Sequence, residues 1–379
     1  MGVGELPDAD RYNDRGSNTL GNTAIAVGGL RLPHLEGLGL GNIAHISGVQ
    51  PAETPRASFG KMAEVSRGKD STTGHWELCG LPVVEEFPTF PNGFPASLMD
   101  RFLAETGCGG YLGNTVASGT VIMQELGDEH CRTGYPIVYT SADSVFQIAA
   151  HEEVLPLERL YAICEATRSR VCVGEYRVGR VIARPFVGTR GNFSRTVHRK
   201  DFSLDPFGPT VLDLLQDSGI TTVGVGKIDD LFNRRGLENM LHTRTNARTI
   251  EAVLQVGRAL DEGLVIANLG DFDTLYGHRN DPVGFAGALS EFDEAVPGLL
   301  AILREEDLLL ITADHGNDPV TPSTDHSREY VPLLCVSGSR PRGQDLGVRQ
   351  TLADAGKTIA EFFGVANSLA GTSFLREVM

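Results

Sequence analysis

The chain has 379 residues, of which 41% are hydrophobic and 22% are charged, proportions that are ordinary for a globular protein in water. A chain of this length can form two domains with substantial cores. Its formal net charge of −16 argues against a general nucleic-acid-binding surface, because such surfaces are basic. No apolar run approaches the roughly 18 residues of a membrane span, so we expect no membrane segment.

The six cysteines are scattered and show no CxxC spacing, which disfavours a disulfide framework or a cysteine metal site. No basic segment followed by an apolar run opens the chain, so we expect no secretory signal. Together these features predict reduced, mostly buried thiols in a cytoplasmic protein. The cysteines are Cys79, Cys108, Cys131, Cys164, Cys172 and Cys335.

The first chemical motif along the chain is residues 68–77, which place Ser71, Thr72 and Thr73 in a Gly-flanked turn. A hydroxyl group at a helix N-terminus meets backbone N–H groups and a favourable dipole, which together can hold a phosphoryl group. Coordination to a metal would lower the pKa of that hydroxyl enough for attack. Taken alone, the motif is better explained as a plain N-cap formed by Asp70 or Ser71.

Two Pro-, Gly- and aromatic-rich segments, 86–95 and 201–209, lack periodicity and are typical of linkers. They enclose one short apolar run at 137–139 and one helical pattern at 157–164. We therefore predict a core domain interrupted by an inserted domain. The predicted core is residues 1–86 and 208–379, and the predicted insert is residues 87–207.

Several arginines fall in a short Gly-rich segment of the predicted insert, with one lysine further along the chain. A planar guanidinium binds phosphate bidentately, and local cations are needed to attract an anionic substrate to an acidic protein. Isolated surface arginines would be the ordinary explanation, but their density without a helical pattern favours a phosphate-binding role. The residues are Arg180, Arg184, Arg190, Arg195 and Lys227.

Beyond the second linker, extended and helical patterns alternate, which predicts a doubly wound α/β sheet. The helical patterns fall at 211–215, 249–260, 285–296 and 353–363, and the extended patterns at 221–225, 265–269, 308–312 and 331–336.

Two of these apolar runs, 265–269 and 308–312, predict buried strands of a parallel sheet. Ligands bind at the carboxyl ends of such strands, so polar residues that follow the two runs should meet at one edge. Those residues are Asp273, His278, Asp314, His315 and, slightly further on, His326.

Carboxylate and imidazole groups without thiolates suit manganese or zinc better than an iron–sulfur cluster. The number of candidate ligands exceeds the need of one catalytic ion, which favours a two-metal centre. Paired ions about 3.5–4 Å apart hold the attacking and leaving oxygens of a phosphoryl group. A single pair such as Asp314 and His315 would be explained as a helix cap and a loop histidine, but the whole set favours metal binding.

Taken together, these segments resemble the phosphopentomutase family of the alkaline phosphatase superfamily, from Gly2 to the C-terminus. The combination of Gly-His-Trp-Glu with Ala-Asp-His-Gly-Asn-Asp is highly specific. The matching segments are residues 7–10, 16–21, 68–77, 139–144, 179–188, 271–278, 312–318 and 324–330.

The resemblance implies an alkaline-phosphatase-like doubly wound sheet core with an inserted α/β cap domain. It also implies an isomerase that moves phosphate between C1 and C5 of ribose or 2-deoxyribose. The implied reaction uses a phosphoenzyme, a pentose bisphosphate activator and two Mn ions. One ion would be held by Asp273, His278 and His326, and the other by Asp314 and His315.

The family's phosphorylated residue is usually a threonine four positions before the motif histidine, which is His75 here, so the resemblance places this role on Ser71. Thr72 and Thr73 remain alternatives. The match also implies that Asp143 binds sugar hydroxyls, although a turn or helix cap would explain it as well. From their chemistry, we expect the distal phosphate to be held by Arg180, Arg195 and Lys227.

One departure concerns the second metal site. Family members begin with a hydrophobic strand that ends in a metal-binding Asp, whereas this sequence starts after that point. We therefore expect a sheet without that inner strand and a second site that lacks one ligand. The alternatives are a metal-dependent phosphatase or phosphoglycerate-mutase-like enzyme, or a truncated, inactive sugar-phosphate-binding protein. The sequence leaves the oligomeric state open.

Overall fold

The structure is a computed structural model that describes residues 1–141, 144–340 and 342–379. The β-strands of the described residues are short, and most of their residues are buried or half-buried. They are β1 Ser58–Met62, β2 Leu112–Val116, β3 Ile137–Thr140, β4 Val145–His151, β5 Arg180–Val187, β6 Ser194–Arg195, β7 Lys200–Ser203, β8 Thr222–Val225, β9 Asn239–Leu241, β10 Leu264–Ala267, β11 Leu308–Ile311, β12 Val331–Ser337 and β13 Asp345–Arg349.

The helices alternate with these strands over most of the chain. They are α1 Thr19–Ala26, α2 Pro33–Leu38, α3 Leu40–Ile43, α4 Ser71–Leu78, α5 Ala96–Thr106, α6 Gly119–Thr133, α7 Leu157–Ala166, α8 Val211–Asp217, α9 Ile228–Phe232, α10 Asn246–Ala259, α11 Pro282–Ala301, α12 Ala353–Phe362 and α13 Leu375–Val378. Among the described residues, none of these helices is long and apolar enough to pass through a membrane.

The chain divides into two compact units. The first unit comprises Met1–Glu85 and Pro206–Met379, and the second comprises Glu86–Asp205. The boundaries lie at the two predicted linkers.

The first unit carries two sheets, with strand orders β11-β12-β1-β13 and β10-β8-β9. The β10-β8-β9 sheet is parallel throughout, as predicted for the run at 265–269. The prediction of a parallel arrangement is wrong for β11, whose partner β12 runs antiparallel. Residues 312–330 between them contain no helix that could return the chain across the sheet, so the next strand runs in the opposite direction.

The longest helix, α11, forms the centre of the first unit's largest apolar core. The residues that predicted an amphipathic helix here lie at 0–7% exposure, so that prediction is confirmed. Each such side chain contributes about 1.5–3 kcal/mol on full burial. They are Phe285, Leu289, Phe292 and Val296.

The second unit is a mixed sheet of order β2-β3-β4-β5-β6, with β7 pairing to β5. Helices α5 and α7 cover one face, where Phe102 and Leu160 pack on Phe146 and Ile148. Helix α6 covers the other face through contacts of its Ile122 with the sheet. The unit is therefore an α/β layer structure with a core of its own.

Candidate metal centre

The candidate ligands follow the carboxyl ends of two strands. After β10, the chain forms a π-helical turn, Phe272–Tyr276, that carries Asp273, and a 3-10 turn, Gly277–Arg279, that carries His278. Asp314 and His315 follow β11 closely. The strand ends therefore position these groups, as the sequence predicts.

Asp273, His278 and His326 form the first cluster. Asp273 Oδ2 lies 3.2 Å from His278 Nε2, and Asp273 Oδ1 lies 3.1 Å from His326 Nε2. Ligand atoms of the three residues all lie within 4.8 Å of one another. His278 Nδ1 donates to the Thr324 carbonyl at 2.7 Å, an interaction that leaves Nε2 as the ligand atom. In the described part of the chain, no other group of three or more His, Cys, Asp or Glu residues is arranged in this way.

Asp314 and His315 form a second, smaller cluster. Asp314 Oδ2 lies 3.1 Å from His315 Nε2 and 3.1 Å from His75 Nδ1. The His315 and His326 rings lie 3.9 Å apart by their centroids, so the two clusters adjoin. The sequence does not predict the contact of His75 with Asp314, since a histidine within a helix carries no signal for such a contact.

The residues of both clusters fit a bound cation. Asp314 Oδ2 and His326 Nε2 are buried and make no hydrogen bond of normal geometry within the described residues, although each lies 3.1 Å from an ionisable group of the clusters. A buried polar atom without a partner costs about 1–3 kcal/mol, so such atoms are rare in native proteins. A bound cation would give a partner to His326 Nε2 in the first cluster and to Asp314 Oδ2 in the second. The carboxylate–imidazole donor set suits manganese or zinc.

The turn at residues 68–73 leads directly into this centre. Asp70 caps α4 by accepting hydrogen bonds from the backbone N–H groups of Thr72 at 2.9 Å and Thr73 at 3.2 Å. Ser71 is the first residue of α4, and its Oγ lies 3.0 Å from His315 Nε2. Thr73 Oγ1 instead donates to the Asp70 carbonyl at 3.0 Å. The cap and the candidate nucleophile are therefore adjacent residues.

Gly74 allows α4 to approach the Asp314 loop. A Cβ atom at position 74 would lie 2.1 Å from the Asp314 carbonyl oxygen, a contact that no side chain can make. The glycine of the Gly-His-Trp-Glu motif therefore sets the spacing between the helix that carries Ser71 and the loop that carries Asp314 and His315.

Comparison with known proteins gives the family. Residues 1–367 match the sequence profile of the metalloenzyme superfamily. The chain is 56% identical to the phosphopentomutase of Dictyoglomus turgidum over 378 residues, which cover 100% of this chain and 95% of that protein. It is 57% identical to the phosphopentomutase of Anaeromyxobacter dehalogenans strain 2CP-C over 377 residues, covering 100% of this chain and 95% of that protein. The chain belongs to the phosphopentomutase family.

Membership in the phosphopentomutase family makes the chain a metal-dependent isomerase that transfers phosphoryl groups. The fold agrees with this assignment. The solved structure of PH0037 from Pyrococcus horikoshii matches with a TM-score of 0.50 at 13% identity, covering 98% of this chain and 97% of that one. The predicted alkaline-phosphatase-like α/β class is therefore confirmed.

The predicted substrate residues lie on several elements. Arg180 and Arg184 lie on β5, Arg195 lies on β6, and Lys227 follows the end of β8. Asp143 lies outside the described residues.

The arginines of the second unit differ in their partners. Arg180 lies 3.6 Å from Asp201, and Arg184 Nε donates to Gln147 Oε1 at 3.1 Å. No described carboxylate lies within ion-pair distance of Arg195. Arg190 forms an ion pair with Asp128 at 3.1 Å, in which the Arg190 side chain is 89% exposed. An exposed pair of this kind is the ordinary role of a surface arginine.

Electrostatics in this phosphopentomutase-family centre favour ionised carboxylates. Burial raises the pKa of Asp273, but the adjacent imidazoles of His278 and His326 outweigh it and hold that pKa below the ordinary value. Burial likewise opposes ionisation of Asp314, and the neighbouring His315 and His75 outweigh it, so its pKa also falls well below the usual range. Both carboxylates are therefore charged at neutral pH and available to a cation.

His315 supports a prediction about pH. Burial lowers its pKa, but the Asp314 carboxylate outweighs burial and raises the pKa to about 9 in the absence of metal. Because this exceeds the ordinary value, the stabilisation from the charged imidazole is complete below about pH 6.5 and is lost as pH rises through about 9. A metal ion must displace the proton. We expect Mn²⁺ binding at pH 7 to release protons, and affinity to rise toward pH 9.

Calorimetric titration in two buffers with different ionisation enthalpies measures that release. The same titration at pH 9 is the internal control, because about half of the His315 imidazole is then already neutral and proton release should be smaller. An affinity for Mn²⁺ that stays constant between pH 7 and pH 9 would contradict the expectation.

Proposed function

We propose that this chain interconverts the 1-phosphate and 5-phosphate of ribose or 2-deoxyribose through a phosphorylated Ser71. Two Mn ions would be held by Asp273, His278 and His326 and by Asp314 and His315. The observation that carries the proposal is the 3.0 Å distance between Ser71 Oγ and His315 Nε2, which places one hydroxyl of the turn against a candidate ligand. The high identity to phosphopentomutases over the whole chain supports the same reaction.

The chain's own residues prepare Ser71 for transfer. The Asp70 cap fixes the first turn of α4, so the Ser71 hydroxyl stands at the positive end of the helix. When bound, the metal ions would lower the pKa of that hydroxyl and offset charge on the phosphoryl oxygens. His75 lies on the same helix and contacts Asp314, so the nucleophile and one ligand are held by a common element.

An isomerisation needs the phosphoryl group to leave one end of the sugar and join the other. A phosphorylated Ser71 can donate its phosphoryl group to the free hydroxyl of a pentose monophosphate, which forms a pentose bisphosphate. The phosphoryl group at the other end then returns to Ser71 as its bond to the sugar oxygen breaks. A pentose bisphosphate would therefore activate the enzyme by phosphorylating Ser71 at the start.

The second unit would act as a cap that binds the sugar phosphate. A phosphoenzyme exposed to water would lose its phosphate by hydrolysis, so a mutase needs a closed site. Arg180 and Arg184 lie four positions apart on β5, an even spacing that puts them on one face of the sheet. Arg195 pairs with Phe186 and lies on the same face. We propose that Arg180, Arg195 and Lys227 hold the distal phosphate and that Asp143 binds sugar hydroxyls.

Replacing Arg195 by alanine is expected to weaken pentose phosphate binding about ten- to a hundredfold. The reason is that a charge-assisted contact contributes about 1.5–3 kcal/mol. Hydrolysis of a small aryl phosphate, which has no second phosphate to hold, should barely change. The matched control is Arg190→Ala, since Arg190 forms only an exposed ion pair with Asp128. If Arg195→Ala slowed the pentose phosphate reaction and aryl phosphate hydrolysis by the same factor, Arg195 would stabilise the fold and would not bind phosphate.

Product analysis tests the function itself. The purified chain with Mn²⁺, a pentose bisphosphate and ribose 1-phosphate should form ribose 5-phosphate with little free phosphate. A metal-dependent phosphatase would release free phosphate at the rate of substrate loss, and an inactive binding protein would leave the substrate unchanged. Either outcome would contradict the proposal.

A further inference from the structure

A buried arginine lies close to the metal centre without belonging to it. Arg328 follows His326 by two residues and is only 3% exposed. Its guanidinium lies 4.9 Å from the centre of the Tyr12 ring and pairs with Asp8 at 3.2 Å and Glu64 at 3.0 Å. A charge buried to this degree is stable only when it is paired and fully hydrogen-bonded, which is the case here.

The same guanidinium binds the backbone of the segment that leads to the nucleophile. It donates to the carbonyl oxygens of Glu64 at 2.9 Å, Ser66 at 2.6 Å and Gly68 at 3.0 Å. The three carbonyls belong to every second residue of the loop between β1 and α4, and the first residue of α4 is Ser71. One side chain beside His326 therefore fixes most of the loop before Ser71.

A second cross-link joins the same two segments. Asp14 accepts a hydrogen bond from the Arg328 backbone N–H at 3.0 Å and from Lys69 Nζ at 3.0 Å. Lys69 Nζ also lies 3.3 Å from Asp325, the neighbour of His326. The turn that carries Ser71 and the segment that carries His326 are thus tied together twice, through Arg328 and through Lys69.

We propose that Arg328, with Asp14 and Lys69, is the positioning device that holds Ser71 in register with the metal ligands. Arg328 contacts none of the candidate ligands, so it acts through the loop and not on the substrate. The inference rests on the proposed function, in which Ser71 carries the phosphoryl group. A displacement of about 1 Å at a reacting atom can cost a hundredfold in rate, so a rigid tie between these segments has a catalytic consequence.

Arg328→Lys tests the proposal, because an ammonium group cannot reach three carbonyls and two carboxylates at once. The matched control is Arg349→Lys, also in the first unit. Arg349 pairs with Asp354 at 2.7 Å and Glu377 at 3.2 Å and donates to the Thr372 carbonyl at 3.0 Å, so it is tied to the C-terminal part of the chain instead.

In Arg328→Lys, we expect kcat and the rate of Ser71 phosphorylation by a pentose bisphosphate to fall about ten- to a hundredfold. KM should change much less, and Mn content should stay at the unsubstituted level. Arg349→Lys should keep the unsubstituted kcat, even if its melting temperature falls by as much as that of Arg328→Lys. Equal kcat in the two variants at matched folded fractions, or a rise in KM alone, would overturn the proposal.

Asp14→Asn provides the second variant if Arg328→Lys does not fold. It keeps Arg328 and the size of the side chain while removing the ion pair with Lys69. We expect a smaller loss of kcat with the same small change in KM, and an unchanged kcat would overturn the proposal. Failure of the proposed function gives a different result from failure of the positioning role. In that case, the phosphoryl label in the unsubstituted enzyme would lie on a residue other than Ser71 or on none.

Discussion

Replacing Ser71 by alanine is expected to abolish isomerisation while leaving Mn binding nearly intact. The change removes the oxygen that would form the bond to phosphorus, but it removes none of the carboxylate or imidazole ligands. Loss of a nucleophile in other enzymes costs several orders of magnitude in kcat, so we expect a loss of at least about 10⁴-fold. The measurement is the rate of ribose 5-phosphate formation, together with the metal content of the same preparation.

Thr73→Ala is the matched control for the Ser71 prediction. Thr73 lies on the same turn of α4, but its hydroxyl is buried and donates to the Asp70 carbonyl. Its loss should therefore cost some stability and much less activity. Comparable inactivation by the two substitutions would show that the turn matters as a structural unit. Retention of isomerisation in Ser71→Ala would assign the nucleophile to another residue.

Asp273→Asn is expected to have the second largest effect, because Asp273 is the common member of the three-ligand cluster. Its two oxygens face His278 and His326, and its Oδ1 also accepts a hydrogen bond from Asn317. An amide offers only one weak oxygen ligand and no charge to a hard cation. Mn should therefore be lost from this site, and activity should fall at least about a hundredfold.

Metal analysis of dialysed protein tests the Asp273 prediction, with Asp261→Asn at an exposed loop position as control. In the unsubstituted protein, we expect the Asp273 cluster to fill at a lower Mn²⁺ concentration than the Asp314 cluster. The reason is that the second cluster offers fewer ligands among the described residues. Full Mn content in Asp273→Asn, or two sites that fill together, would contradict this ordering.

Local pattern in the sequence was sufficient to predict much of the fold and the candidate ligands. Short apolar runs predicted β10 and β11, and the rule that ligands follow strand ends placed Asp273 and Asp314 near one another. The extended state of both runs is confirmed because it depends on composition within a few residues. The predicted burial is wrong for β10, which is half-buried to exposed, and for most of β11, which is half-buried. The antiparallel direction of β11 depends on how the chain returns after the strand, which a short apolar run does not encode.

Interactions between distant segments were not predictable in the same way. The contacts of Arg328 with residues 64–68 join positions more than 250 residues apart, and a single arginine near a histidine gives no sign of them. The contact of His75 with Asp314 was missed for the same reason. The position of Arg190 in an arginine-rich segment predicted phosphate binding, and this stays a prediction. In the structure, Arg190 forms an exposed ion pair with Asp128.

Mapping of the phosphorylated residue tests the central claim most directly. The protein is incubated with Mn²⁺ and a pentose bisphosphate, quenched in acid, digested and analysed by mass spectrometry, with Ser71→Ala in parallel. We predict a single phosphorylated site at Ser71, because its Oγ lies 3.0 Å from His315 Nε2. Phosphate on Thr72 or Thr73, or isomerisation that proceeds without any phosphorylated residue, would contradict the account.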